Sequence, residues 1–310
     1  NKGFACIPLV QKSPEHAESY ANDMVNYVRL DRALQHGDRF VFDGGYIFDS
    51  LLRLILEKDI SAVWLRRGLW QPGQANLRTL ARGRIFRKII VPQEAFDELN
   101  DGIFWDRSVE NVGPVVQTGT QGGGSVRTRL AEKLDRPFDR LVVSMLGGGS
   151  AADRSAQLQT ICNLLERRDD CLHLVIVWPG SRVEPGLYGW KNSRVIQTQN
   201  ALAFAKDADL VISACGYNSF HEVLYHRLPA IFMPQMAPFM DDQERRARAA
   251  SERQLAETVL SHELLRLDRE VRAFLDEGKA DALRSRLAAT DLPAAGTERA
   301  AQLIDQMVQE

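Results

Sequence analysis

Apolar positions along the chain fall into two alternating patterns. Short runs rich in Val, Ile, Leu and Phe cover residues 3–10, 39–43, 61–65 and 88–91 in the first half. In the second half they cover 141–146, 172–178, 194–197, 210–215 and 230–233. Such runs read as strands buried on both faces, the habit of a parallel sheet. Between them, apolar residues recur at helical spacing. Met24, Tyr27, Val28, Leu30 and Leu34 give 14–36 an apolar face, Leu158, Ile161, Leu164 and Leu165 do so for 151–167, and Phe220, Val223 and Leu224 for 217–227. Further helices are expected over 48–56, 200–207, 244–254 and 298–308, the last with Ala301, Leu303, Ile304 and Met307 on one side. Strand and helix alternate throughout, so both halves are predicted to be parallel α/β layers.

A chain of 310 residues suits two domains. The glycine-rich stretch Gly119-Thr-Gln-Gly-Gly-Gly-Ser125 has no apolar strand before it, so it reads as a connector rather than a phosphate loop. The boundary is expected within 119–139, dividing an N-terminal domain (1–137) from a C-terminal one (138–310). A net charge of −2 leaves no nucleic-acid footprint. No apolar run approaches the roughly 18 residues that span a bilayer, and no signal peptide is visible. Cys6, Cys162, Cys171 and Cys215 show no C-x-x-C spacing and read as free thiols of a cytoplasmic protein. The six histidines form no ligand cluster, so neither metal nor cofactor is expected.

Candidate chemistry gathers where predicted strands end. Residues 208–243 read as strand, turn at Gly216, helix and second strand, the last flanked by Pro229 and Pro234 and followed by Asp242-Gln243. The turn is Gly216, Tyr217, Asn218, Ser219, with Glu222 one helical turn on. Ser219-x-x-Glu222 also fits a capping box. A second turn, Gly147, Gly148, Gly149 and Ser150, joins a predicted strand to a predicted helix, where amides and the helix dipole favour an anion. Asp43-Gly-Gly, Arg66-Arg67-Gly and Gln93-Glu94 lie at strand ends in the first half. Asp43 reads as a helix N-cap before Tyr46, with a general base as the alternative. Arg66 and Arg67 read as a solvated turn or as an anion contact. His16 reads as a surface histidine near a helix start. Arg245, Arg246, Arg248 and Arg253 read as a solvated face.

Gly216-x-x-Ser219-x-x-Glu222, Pro229, Pro234 and Asp242-Gln243, in that order, resemble the donor-site signature of GT-B glycosyltransferases. The likeness is to the C-terminal domain of the family that includes the lipid II-forming N-acetylglucosaminyltransferase, and it covers about 140–259. It implies two Rossmann-like domains with parallel sheets facing an interdomain cleft. It further implies that Gly216 to Ser219, with Gly147 to Ser150, lie near the donor diphosphate. Glu222 would bond the ribose, and Asp242 with Gln243 the sugar hydroxyls. The family continues Asp-Gln with x-x-Asn-Ala, where this chain has Arg246-Ala247.

The implied reaction is metal-independent transfer of a sugar from a nucleotide diphosphate sugar, most plausibly a UDP-sugar, to a hydroxyl acceptor. A final helix crossing back to the first domain is also implied. Three alternatives stay open: a nucleotide-sugar epimerase or hydrolase on this scaffold, a donor-binding subunit needing a partner, and a non-catalytic interaction protein. The family's base comes from a glycine-rich loop in the first βα turn. No such loop is found here, so either it lies upstream of Asn1, where the first βα unit is expected, or another residue serves, and the catalytic base is unassigned. Lipid-linked acceptors occur in the family, so peripheral membrane contact is compatible with this reading.

Overall fold

The computed structural model describes residues 6–10, 19–71, 77–100, 109–117, 125–146, 154–179, 183–235 and 241–309. Two parallel sheets organise the chain. In the first half α1 (Ser19–Ala33), β1 (Arg39–Asp43), α2 (Asp49–Glu57), β2 (Ser61–Leu65), α3 (Leu77–Gly83), β3 (Lys88–Pro92) and β4 (Val109–Val112) form a sheet of order β1-β2-β3-β4. Its core packs Ile47, Leu51 and Ile55 against Trp64, Phe86 and Val91.

Two expectations fail here. Residues 6–10 form no strand; Ile7 and Leu9 are exposed, and Asn26 ties Val10 to α1 through both its amide and its carbonyl. On α1 the predicted apolar face is only partly inward: Leu34 packs on the core and Tyr27 and Leu30 are half-buried, but Met24 and Val28 are exposed while Asp23 and Asn26 are buried. The cause is polar. Asp23 accepts from the Ser50 amide at 3.0 Å and from its hydroxyl, so it caps α2, whose own cap residue Phe48 offers no side-chain bond.

The second half contains α4 (Val126–Leu134), β5 (Arg140–Met145), α5 (Ser155–Leu165), β6 (Cys171–Val177), β7 (Ser193–Gln197), α6 (Leu202–Ala205), β8 (Leu210–Ser213), α7 (Tyr217–Tyr225), β9 (Ala230–Phe232), α8 (Gln243–Glu252), β10 (Glu257–Thr258), α9 (Leu264–Asp276), α10 (Lys279–Ala289) and α11 (Thr297–Gln309). The sheet order is β10-β9-β8-β5-β6-β7, all parallel. Side chains alternate across a strand, so each apolar run serves two cores. Leu141 and Val143 face one core with Leu172, Leu174, Val211 and Phe232. Val142 faces the other with Val175, Leu210, Ile212 and Ile231. Burying one such side chain stabilises the fold by about 1.5–3 kcal/mol. Helix α4 falls inside the 119–139 stretch where the boundary is expected and packs Leu130 and Leu134 on the second half; residues 119–124 lie outside the described residues.

The halves are closely docked. Leu69, Ala95, Phe96 and Leu99 of the first half belong to one of the second half's cores, and Phe96 meets Phe220 edge-on at 5.7 Å. As expected, the last helix returns to the first half, where Ala300, Leu303 and Met307 of α11 cover Val63, Ile90 and Val112. The returning chain crosses β4's exit at a pair of glycines, and Gly296 N donates to Pro114 O at 2.8 Å. A Cβ on Gly113 would stand 2.2 Å from Ala294 O, and one on Gly296 would stand 2.1 Å from Gly113 O. Backbone on both sides cannot yield. Gly113→Ala and Gly296→Ala are each expected to lower stability by about 3 kcal/mol in chemical denaturation. Gly45→Ala, whose Cβ meets nothing within 4 Å, should stay within about 0.5 kcal/mol of the parent. Equal midpoints for all three variants would refute the close crossing.

Candidate functional site

Strand β5 lies between β6 and β8, so the chain leaves it in opposite directions. That reversal opens a crevice beyond the carboxyl ends of β5 and β8. Gly147 to Ser150 follow β5 directly but lie outside the described residues. Gln235, just past β9, ties the crevice together. Its side-chain amide donates to Leu146 O, and its backbone amide donates to Gln243 Oε1 at 3.0 Å.

After β8 the chain enters α7 through Gly216, the helix N-cap, at φ −67° and ψ 160°. Any residue adopts that conformation, and a Cβ there would meet only Gln243 Nε2, at 3.8 Å. Glycine is therefore not required by the fold; it leaves space before the helix N-terminus. No side chain caps α7. Ser219 sits within the first turn rather than at the cap, so the capping-box alternative for Ser219-x-x-Glu222 is not realised. Asn218 is exposed and Ser219 half-buried. Glu222 is half-buried, burial raises its pKa, and no hydrogen bond or ion pair reaches its carboxylate among the described residues.

The remaining predicted residues also make contacts within the protein. Tyr217 is buried, and its hydroxyl donates to Gln93 O at 3.0 Å and accepts from Val115 N at 2.9 Å, both in the first half. Asp242 caps α8 by accepting from Arg245 N at 3.0 Å. Gln243 is buried, with its Nε2 only 3.5 Å from Asp241 Oδ1.

Arg246 overturns the reading of a solvated basic face. It is fully buried. Its Nε and Nη2 donate to the two oxygens of Glu94 at 2.9 and 2.7 Å, and its Nη1 donates to Cys215 O at 2.8 Å and Asp241 Oδ2 at 2.7 Å. Burial alone would lower its pKa; Glu94 and Asp241 reverse that and raise it. Removing one member of such a pair leaves a buried bare charge, at a cost of about 3–5 kcal/mol. Two neighbours also reach the first half: Arg253, the C-cap of α8, pairs with Glu98 at 2.6 Å, and Arg245 on α8 donates to Glu98 O. Arg253 is exposed, and Arg248, 65% exposed, keeps the expected solvated position. Helical spacing alone could not separate it from Arg246; the one signal was the pair Gln93-Glu94 at a strand end.

Arg67 stands over the Tyr217 ring, 5.4 Å from its centroid, and 3.6 Å from Asp43. Asp43 caps no helix, since α2 begins at Asp49. Arg66 is buried, with its guanidinium over Trp64, rather than solvated. His16 lies outside the described residues. A cleft of about 520 Å³ opens between Glu98 and Leu99 of the first half and α8, with Asp242 and Arg248 in its wall. Among the described residues no group of His, Cys, Asp or Glu is arranged to hold a metal ion, and no helix is long and apolar enough to cross a membrane.

Residues 142–307 match the model of the glycosyltransferase family 28 C-terminal domain. Among curated proteins no sequence matches. Solved structures of similar fold include the glycosyltransferase of kitacinnamycin, at 17% identity and TM-score 0.59 over 97% of this chain and 86% of that one. A UDP-glucosyltransferase from Polygonum tinctorium gives 14% and 0.60 over 99% and 86%. MurG of Acinetobacter baumannii gives 14% and 0.52 over 93% and 79%. At these identities the likeness is one of fold. The architecture is GT-B, two Rossmann-like layers about a cleft.

His221 on α7 gives the site a pH signature. Its Nδ1–H donates to Tyr217 O at 2.7 Å, and its Nε2 accepts from Ala95 N at 3.1 Å, so the ring is neutral. Burial pushes its pKa down to about 4 and that of His173, held between Ser144 and Ser193, to about 3. An unfolded histidine titrates near 6.5, so below that pH the unfolded chain binds more protons. Stability is expected to fall as pH drops from 6.5 to 5, by roughly 1.4 kcal/mol per unit for each histidine. Denaturation of His221→Gln across this window should show a shallower slope than wild type; an unchanged slope would mean His221 is not buried neutral.

Proposed function

The chain belongs to the family defined by the glycosyltransferase family 28 C-terminal domain and is a glycosyltransferase, and on that premise we propose that it transfers the sugar of a UDP-sugar to a hydroxyl acceptor without a bound metal ion. The observation that carries the reading is the uncapped N-terminus of α7 beside the half-buried, unpartnered Glu222 at the sheet's reversal point. Backbone amides from Gly216 to Ser219, aided by the helix dipole, receive the diphosphate. The resemblance assigns Gly147 to Ser150, which follow β5 in sequence, to the same diphosphate. Glu222 accepts from the ribose hydroxyls, and Asp242 with Gln243 faces the sugar.

In the reaction the bond from the anomeric carbon to the diphosphate oxygen breaks, and one to the acceptor oxygen forms. Charge develops on the departing diphosphate, where preoriented amides act without reorganisation. The acceptor enters from the first half, and its proton passes to a base we leave unassigned. We assign the protein to the cytoplasm, in keeping with four free cysteines, and peripheral membrane contact would serve a lipid-linked acceptor.

Calorimetric titration of UDP into wild type and Glu222→Ala tests the reading. Wild type should bind at micromolar to sub-millimolar concentration. The variant should bind more weakly by roughly 1–3 kcal/mol, the loss of hydrogen bonds to a charged partner. Absence of heat with UDP, GDP and TDP would remove the donor site. Unchanged affinity in Glu222→Ala would remove Glu222 from it.

A further inference from the structure

We infer that Arg246 is a positioning residue for the transfer: with Glu94 it locks the donor turn of the second half against the end of β3 in the first, holding the two halves in register. This rests on the glycosyltransferase reading above. Four oxygens from three separate segments converge on one guanidinium. Cys215 O belongs to the residue just before Gly216. Asp241 precedes the cap of α8. Glu94 comes from two residues beyond β3, 152 positions away in sequence. Arg246 is 0% exposed and Glu94 4%.

Only a planar fork of donors reaches all four oxygens at once. The asparagine that the resembled family carries at this position is too short, and a lysine offers a single point charge. A buried ion pair adds little net stability over an apolar pair of the same volume. What it supplies is a fixed geometry. Tyr217 adds a second fastening one residue past Gly216, through Gln93 O and Val115 N. The turn proposed to hold the diphosphate is thus held on both sides by contacts to the acceptor half. Displacing reacting groups by about 1 Å can cost on the order of 100-fold in rate. Loosening the pair should therefore slow transfer far more than it weakens donor binding.

The test uses Arg246→Lys and Glu94→Gln, each held at a temperature where melting curves show it fully folded. Three quantities are read: UDP affinity by calorimetry, release of UDP from UDP-N-acetylglucosamine and UDP-glucose with water as acceptor, and hydrogen exchange of the Ala95 amide, which bonds His221 across the seam. Affinity should stay within about threefold of wild type, while turnover falls and Ala95 exchange rises, each by about tenfold or more. Should either single variant fail to fold, the neutral replacement Glu94→Leu/Asp241→Asn/Arg246→Met, which leaves no unpaired charge on Asp241, is expected to fold and to show the same split. Wild-type turnover and exchange in the folded variants would overturn the inference. So would parallel losses of affinity and turnover, which would make Arg246 a plain donor contact. If wild type binds no UDP, the donor reading fails by itself, and the Ala95 exchange still decides whether Arg246 fastens the seam.

Discussion

A guanidinium buried without counter-charge would be too costly to keep folded. Arg246 is buried, so the protein must bring carboxylates to it, and one of them comes from the other half of the chain. That requirement fixes the end of β3, the entry to α7 and the start of α8 relative to one another. Neighbouring contacts follow the same line. Ala95 N reaches His221, Tyr217 reaches Gln93 and Val115, and Phe96 packs on Phe220. Together these contacts form a continuous seam between the halves. The return of α11 over β3 and β4, through the crossing of Gly113 and Gly296, fastens the opposite side.

The chemistry depends on a different feature, the parallel sheet. Because all six strands of the second sheet are parallel, the carboxyl ends of β5 and β8 lie on the same edge. Reversal of strand order at β5 separates the helices there and leaves room for a ligand. The family match over 142–307 covers this sheet and its helices. The first sheet lies outside the match.

Much of this was readable from residue pattern. The strands of the second half are continuous apolar runs because both their faces are covered, and runs of that kind are hard to mistake. The α7 turn was readable because glycine, helix and proline punctuate it in order. Residues 6–10 misled because an apolar run shows only a capacity for burial, and among the described residues no strand pairs with it. The α1 face misled because buried Asp23 and Asn26 satisfy backbone groups elsewhere, which periodicity does not register. Strand β4 and helix α3 went unseen because each is short and carries few apolar residues. Arg246 was misjudged since an arginine's partners can lie anywhere in the chain, and its burial is a property of the fold.

A crystal structure with UDP bound tests the account most directly. The account predicts the diphosphate before the N-terminus of α7, the ribose within hydrogen-bond reach of Glu222, and Arg246 still on Glu94. UDP seated instead in the cleft beside Glu98 and Arg248, or Arg246 turned away from Glu94 onto the ligand, would contradict it.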